Sequence, residues 1–586
     1  MHSVLLAAVI AAAQLQNPIL FVTQVPVPAD FTTVASTFGN HLPTMENAPR
    51  GGDLWIRYPD GTLKNLTRAA GFGGGGMQGA NAIAVREPSV HWSGTKALFS
   101  MVVGAPTQQY AVQTFFWQIY EITGLGATDT PVIRKIPNQP AGYNNVSPFY
   151  GTDDRILFTS DRPRGGEAHL YPQLDEYEEA PTVTGLWSLD PATGDLRLLN
   201  HTPSGLFSPS IDSFGRVIFT RWDHLQRDQQ ADSDAAEGGT YGTFDYSDES
   251  ASAARSTQRV EVFPEPRSSR TDLLAGTNLE GISINHFFPW EINEDGTSEE
   301  TMNHIGRHEL FGYFNRSMTD AGLVDFNGVD AAQNFFQLRE DPARPGVYVA
   351  VDAPEFQTHA AGQIVRFGAE PGLPADRIAV TYVTPRATRD VDASSEGHYR
   401  DPLPLADGTL LAVHTAETRA DANDGTRAAP KSRYAFRIRM VNGPTVTDGI
   451  QGSVSYWDPD VLVSWSGEMW ELSPVEVRAR PRPARRTTPL EEPEARIFAE
   501  EGVDPAAFRA SLAARNMAVI VSRNVTARDG ADKQQPYNLR VAGSTTQKVT
   551  GSAKTFEVAH LQVFQADQLR GLGGTTSPRA GRRVLA

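Results

Sequence analysis

One phrase returns in this chain, and its return limits what the chain can fold into. RILFTSDR (155–162) reappears as RVIFTRWDH (216–224), and the match extends upstream without a gap, SPFYGTDDRILFTSDR (147–162) lying over SPSIDSFGRVIFTRWD (208–223). Ser147 then falls on Ser208, Pro148 on Pro209 and Phe158 on Phe219. Looser copies stand at 88–100 (PSVHWSGTKALFS), 288–297 (FPWEINEDGT) and 401–415 (DPLPLADGTLLAVHT). Each has a proline, a short strand, a turn such as Ser93-Gly94, Phe214-Gly215, Asp295-Gly296 or Asp407-Gly408, and usually a second, apolar strand. Glycine accepts positive φ without a steric penalty, so these turns suit tight hairpins.

A second phrase alternates with the first. GDLWIRYPDGTLKNLT (52–67) resembles GLWSLDPATGDLRLLN (185–200), with Trp55 four residues before Pro59 and Trp187 four before Pro191. Four strands per unit at a period of about 60, locally paired and without an intervening helical pattern, describe the blades of a β-propeller. A sandwich would not repeat itself so literally. Five units are clear and 345–382 (VYVAVDAPEF, GQIVRFG, RIAVTYV) supplies a further one, so the expectation is a mainly β protein: a propeller of six or seven four-stranded blades over 18–475.

The texture changes after Pro474. RARPRPARR (478–486), within a Pro/Arg-rich stretch at 476–490, is too broken by proline for a helix and reads as an extended linker rather than a binding arm. EEPEARIFAEEGVDPAAFRASLAARNMA (491–518) predicts two helices, the second entered through Asp504-Pro505, where Asp caps and Pro takes the first helical position. AVIVSRNVTA and KTFEVAHLQVFQ alternate like strands. A smaller α+β domain is therefore expected over 491–586, and its ending, RRVLA, reads as a cut inside a domain.

Composition narrows the function. A net charge of −17 argues against a nucleic-acid or anionic-membrane binder, because a phosphate surface needs a basic patch to release its counterions. The chain has no cysteine, which removes disulfides, thiolate metal sites, cysteine nucleophiles and covalent c-type haem from consideration within it. The apolar run Val4–Ala13 is too short to span a bilayer and suits a signal peptide over 1–17, predicting a periplasmic or extracellular protein; no other stretch approaches the ~20 apolar residues of a membrane helix.

RILFTSDR, GRVIFTRWDH, the DGT turn followed by NHIGRHE, and the opening GDLW…PDGTLKNLT resemble TolB-type propeller repeats. More narrowly, with VSRNVTARDGADKQQPYNLRV (521–541), they resemble bacterial proteins related to the hydrazine synthase alpha subunit. That resemblance implies an exported propeller subunit of a redox assembly, with protein partners, whose haem is attached through C-x-x-C-H motifs. The chain departs from the pattern there, so haem chemistry and hydrazine synthesis do not carry over to it.

Three constellations are candidates for chemistry. The tails Asp161-Arg162 and Arg221-Trp222-Asp223-His224 end their strands in equivalent places; facing a central channel they would line a ligand pocket, and otherwise they close turns and pair neighbouring blades. His304 and His308 have the i, i+4 spacing that chelates a divalent metal on a helix, although Gly306 and the repeat register favour strand or loop, where the pair sits about 13 Å apart. The acidic loop 225–257 lacks the spaced ligands of a calcium loop and reads as a solvated insertion, and GFGGGGMQG (71–79) lacks a G-K-[ST] and reads as a flexible turn. No G-x-S-x-G occurs. The chain is thus expected to bind or scaffold rather than catalyse, with a metal-dependent channel site as the alternative.

Overall fold

The structure is a computed structural model that describes residues 15–37, 39–162, 185–200, 202, 205–224, 285–302, 332, 334–373, 378–385, 396–521, 564–565 and 583–584. The apolar run Val4–Ala13, the acidic loop, His304 and His308 lie outside them. Strands β1 (Ile19–Gln24), β2 (Leu54–Arg57) and β3 (Leu63–Asn65) begin a first sheet, and a two-residue strand β4 (Gly76–Met77) follows. The second sheet is β5 (Ile83–Val90), β6 (Lys96–Val103), β7 (Gln118–Thr123) and β8 (Val132–Lys135). The third is β9 (Asn145–Tyr150), β10 (Ile156–Ser160), β11 (Leu186–Leu189) and β12 (Leu196–Leu198). The fourth is β13 (Leu206–Ile211), β14 (Val217–His224), β15 (Asn285–Ile292) and β16 (Glu300–Thr301). The fifth is β17 (Phe336–Glu340), β18 (Val347–Asp352), β19 (Gln363–Gly368) and β20 (Val380–Tyr382). The sixth is β21 (His398–Pro404), β22 (Leu410–Thr415) and β23 (Arg437–Met440). A hairpin of β24 (Gln451–Asp458) and β25 (Val461–Glu468) precedes β26 (Trp470–Glu476), which turns back to pair with β1 and completes the first sheet.

Within these six sheets all pairing is antiparallel between sequence neighbours, apart from the β26–β1 pair that joins distant parts of the chain. The first strands touch in cyclic order, β26 to β5, β9, β13, β17, β21 and back to β26, which is the radial arrangement of a β-propeller.

The returning phrase follows from this packing. Val217 and Phe219 of β14 join Phe149, Leu157 and Leu206 in the core between the third and fourth sheets, while Ile218 joins Tyr348, Ala350 and Val365 between the fourth and fifth. In β10, Ile156 and Phe158 pack with Leu98 and Ile119 of the second sheet, and Leu157 faces the fourth. Successive side chains of a strand point to opposite faces, and here both faces meet another sheet, so each strand opens on three successive apolar residues. RVIFT and RILFT are strands with no solvent face.

The repeat locates the β5–β6, β9–β10, β13–β14 and β21–β22 hairpins, and their Gly94, Gly215 and Gly408 take φ of +73°, +80° and +87°. It misplaces one copy. FPWEINEDGT supplies the third strand of its sheet, β15, and the turn into β16. The glycine run also differs from expectation, because Gly76 and Met77 pair in parallel with Val454 and Ser455 of β24. The two helices form at Glu492–Glu500 and Pro505–Ala514, with Asp504 accepting from the Ala506 N–H at 2.9 Å. Neither helix buries a residue.

Ring closure rests on Trp470. Its side chain is fully buried, its indole N–H donates to the Tyr434 carbonyl at 2.9 Å, and its ring meets Phe436 and His359 edge-on. Trp470→Ala is expected to lower the unfolding free energy by about 3–5 kcal/mol, seen as a lower denaturant midpoint; an unchanged midpoint would detach closure from this side chain.

Candidate functional site: the axial cavity

Each innermost strand breaks its ladder at one place. Glu87, Ser147, Ser208, Gln337, Asp401 and Ser473 have φ between +46° and +55°, and each coincides with a register shift against the neighbouring strand. Five of the six precede a proline, the exception being Gln337 before Leu338. Proline cannot donate to a ladder and is tolerated at such bulges. Non-glycine residues at positive φ are uncommon and carry a cost of order 1 kcal/mol each, so the surroundings must hold them there.

They are held by one another. Glu87 Oε2 accepts from both the N–H and the hydroxyl of Ser147 at 2.8 Å, joining the second and third sheets. The Asp401 N–H donates to Gln337 Oε1 at 2.8 Å and the Ser473 N–H to Asp401 Oδ2 at 3.0 Å, joining the fifth, sixth and first sheets. Arg86 pairs with Glu87 at 3.1 Å and Arg400 with Asp401 at 3.2 Å. Burial alone would raise the Glu87 carboxyl, but the Arg86 guanidinium and the Ser147 donors outweigh it and hold the group below the usual glutamate range.

These strands enclose a cavity of about 430 Å³ on the ring axis, within the range of small-molecule sites. Segments from outside the blades border it at both ends. The β1–β2 connection contributes Val34, Ser36, Thr37 and Asn40, tied down by Arg400 Nη1 on the Ala35 carbonyl at 3.1 Å and Arg86 Nη2 on Asn40 Oδ1 at 3.2 Å. Arg478, Arg480, Pro481 and Pro483 border the hairpin-turn end.

The segment expected to be a linker is extended, and it is fastened to the ring's own turns. The Arg480 N–H donates to the Trp92 carbonyl at 2.9 Å, and its guanidinium lies 4.4 Å from the Trp92 ring centre. Arg482 reaches Asp154 at 2.8 Å, Arg485 reaches Asp153 at 3.0 Å and Arg486 reaches Glu291 at 2.8 Å. Thr488 then meets Asn293 at 2.9 Å. Two turn glycines let this strap approach: a Cβ on Gly94 would lie 2.5 Å from the Arg478 carbonyl carbon, and one on Gly215 would lie 2.3 Å from the Ala484 oxygen.

Of the residues singled out in the sequence, Asp161, Arg162, Arg221 and Trp222 lie elsewhere. Asp161 is buried and accepts from Asn144, at 2.8 Å from its N–H and 2.7 Å from Nδ2; burial raises its carboxyl despite His41 and these donors. The Arg162 guanidinium sits 4.8 Å over Trp187. Arg221 lies 4.2 Å over Trp290 and 3.2 Å from Glu299. Trp222 is fully buried, stacked on Phe287 at 5.3 Å in a core shared with Phe207 and Phe336. Asp223 and His224 end β14, with backbone partners His286 and Asn285. The cavity wall includes neither Asp161 and Arg162 nor Arg221 and Trp222. It gathers Arg86, Glu87, Arg339, Glu340, Arg400 and Asp401 instead, residues that sequence reading passes over. For Glu87 and Asp401 the signal is their place before a returning proline, with Arg86 and Arg400 one residue further back.

The chain is thus a β-propeller with a charged axial cavity. No protein-family model matches it and no curated protein matches it. Among solved structures it is similar to hydrazine synthase of Kuenenia stuttgartiensis (14% identity, TM-score 0.42, covering 80% of this chain and 48% of that one). It is also similar to puromycin hydrolase (13%, 0.31, covering 82% and 54%) and to oligogalacturonate lyase from Vibrio parahaemolyticus (8%, 0.28, covering 77% and 94%). The chain spans about half the length of the hydrazine synthase and puromycin hydrolase chains.

Two predictions follow the geometry. Because the folded Glu87 carboxyl titrates below its unfolded value, its stabilising contribution is complete above the ordinary glutamate range and is lost as pH falls through the folded value. Glu87→Gln should therefore flatten part of the acid limb of a stability–pH profile; a limb of unchanged slope would contradict the assignment. Gly215→Ala should lift the strap, so that trypsin cuts at Arg485 and Arg486 faster than in the parent, and the φ of +80° at this position should also lower the ring's stability by about 1 kcal/mol. Equal cutting rates would refute the close approach.

Proposed function

We propose that this chain is an exported, six-bladed propeller that binds and positions partners, more a scaffold than a catalyst, within a redox-linked assembly of the hydrazine synthase alpha type. The observation that carries the binding reading is the commitment of the axial polar groups to one another. Glu87, Gln337 and Asp401 are spent on locking adjacent sheets. A scaffold needs such a stiff ring. Six blades are supported by the cyclic contacts of the first strands, and export by the apolar run Val4–Ala13. The redox setting and the protein partners rest on the sequence resemblance.

The rival reading is a metal-dependent enzyme or metal-binding protein with its site in the propeller channel, built from residues such as Arg221, Asp223, His224, His304 and His308. Among the described residues no three His, Asp or Glu side chains are grouped to hold a metal ion. Metal analysis of the purified full chain separates the two. The scaffold reading expects no stoichiometric metal after dialysis. One equivalent of metal, lost in His304→Ala or His308→Ala, would overturn it.

A further inference from the structure

Most charges on the cavity wall are spoken for, which makes the remainder conspicuous. Arg86 pairs with Glu87, Arg400 with Asp401, and Arg478 with Glu476 at 2.9 Å. Asp212 is held by Arg216 at 2.7 Å, and the Glu340 oxygens accept from the Ser213 N–H and hydroxyl at 2.6 and 2.7 Å and from the Gly346 N–H at 3.0 Å. Two guanidiniums are left. Arg339 makes a single hydrogen bond among the described residues, from Nη1 to the Leu338 carbonyl at 3.3 Å. Arg480 gives one side-chain hydrogen bond, to the Val90 carbonyl at 3.0 Å, and lays its face on Trp92. Both border the cavity at its hairpin-turn end, and neither has a carboxylate within ion-pair distance among the described residues.

We infer that this end of the cavity binds a small dianionic oxyanion, a phosphate or a short dicarboxylate, between Arg339 and Arg480. A guanidinium presents a planar fork of donors that matches carboxylate and phosphate oxygens two at a time, and with Arg339 half-buried and Arg480 exposed it is this fork geometry that carries the contact. The two cations come from independent parts of the chain, the fifth sheet and the strap. Burial, then the like charges of Arg478 and Arg339, lowers Arg480 against the pull of Glu340, and burial lowers Arg339 against Asp401 and Glu87. Both stay cationic at neutral pH, and an anion between them removes the repulsion. The ligand would also bridge the strap to the fifth sheet.

The inference goes beyond the scaffold reading and stands on the cavity alone, so its failure would leave that reading where the metal analysis puts it. The test is calorimetric titration of the full chain with inorganic phosphate and with succinate, alongside thermal unfolding at matched ionic strength in chloride. The expected result is saturable binding of one or both anions and a midpoint that rises with anion concentration beyond the chloride control, as linkage requires. Arg339→Gln should abolish both. Arg480→Lys keeps the charge, loses the fork, and should weaken affinity about tenfold. No saturable binding in the parent chain, or undiminished binding in a folded Arg339→Gln, overturns the site. The Arg480→Lys chain supplies the same decision if Arg339→Gln does not fold.

Discussion

Everything in this molecule depends on the pairing of β26 with β1. Each sheet buries both faces, so no sheet has a solvent side on which the ring could end. The first and sixth sheets would each present a row of apolar residues to water if β26 failed to return: Leu472 packs with Leu20 and Val22 in the same core that holds Leu411, Val413 and Phe99. That core spans the sixth, first and second sheets and is the largest among the described residues, at the place where the ring's first and last strands meet. Closure is thus a long-range event, made after the chain between the ends is placed, and loop-closure entropy makes it slow to form.

The bulges in the first strands are the second level of organisation. A regular strand would spend all its N–H groups on its own ladder. The turn to positive φ at Ser147, Asp401 and Ser473 releases one N–H to the neighbouring sheet, where Glu87, Gln337 and Asp401 receive it. The cost of about 1 kcal/mol per bulge is offset by a charge-assisted or buried hydrogen bond of comparable size. The result is an axis lined by polar groups in fixed positions, with cohesion between sheets that the apolar cores, being non-directional, do not supply.

Much of the fold is legible in the sequence because the hairpins are local. Turn glycines, apolar second strands and the alternation of two phrases identify four inner hairpins and the outer hairpins of the first and third sheets. The fifth sheet's inner hairpin hides because its turn, Asp341–Gly346, is longer than the others. The closing strand hides because pairing across the whole chain leaves no local mark. The candidate site was harder to see. Strand ends such as Arg221-Trp222 stand out by differing between copies, yet Trp222 differs in order to fill a core with Phe207, Phe287 and Phe336. The residues that converge on the axis instead precede the prolines, which read as punctuation. Arg339 has no proline beside it and Arg480 sits in a run that reads as a linker, so neither is marked.

The strap has a mechanical consequence. After β26 the chain leaves the first sheet, crosses the turns of the second and third, and is last fastened at Thr488 beside the fourth, on the far side of the ring. A load applied through the helices at 492–514 therefore arrives first at Thr488 and Arg486 and must peel away Arg485, Arg482 and Arg480 in turn before any tension reaches β26. The seam that closes the ring is insulated from whatever pulls on the C-terminal region.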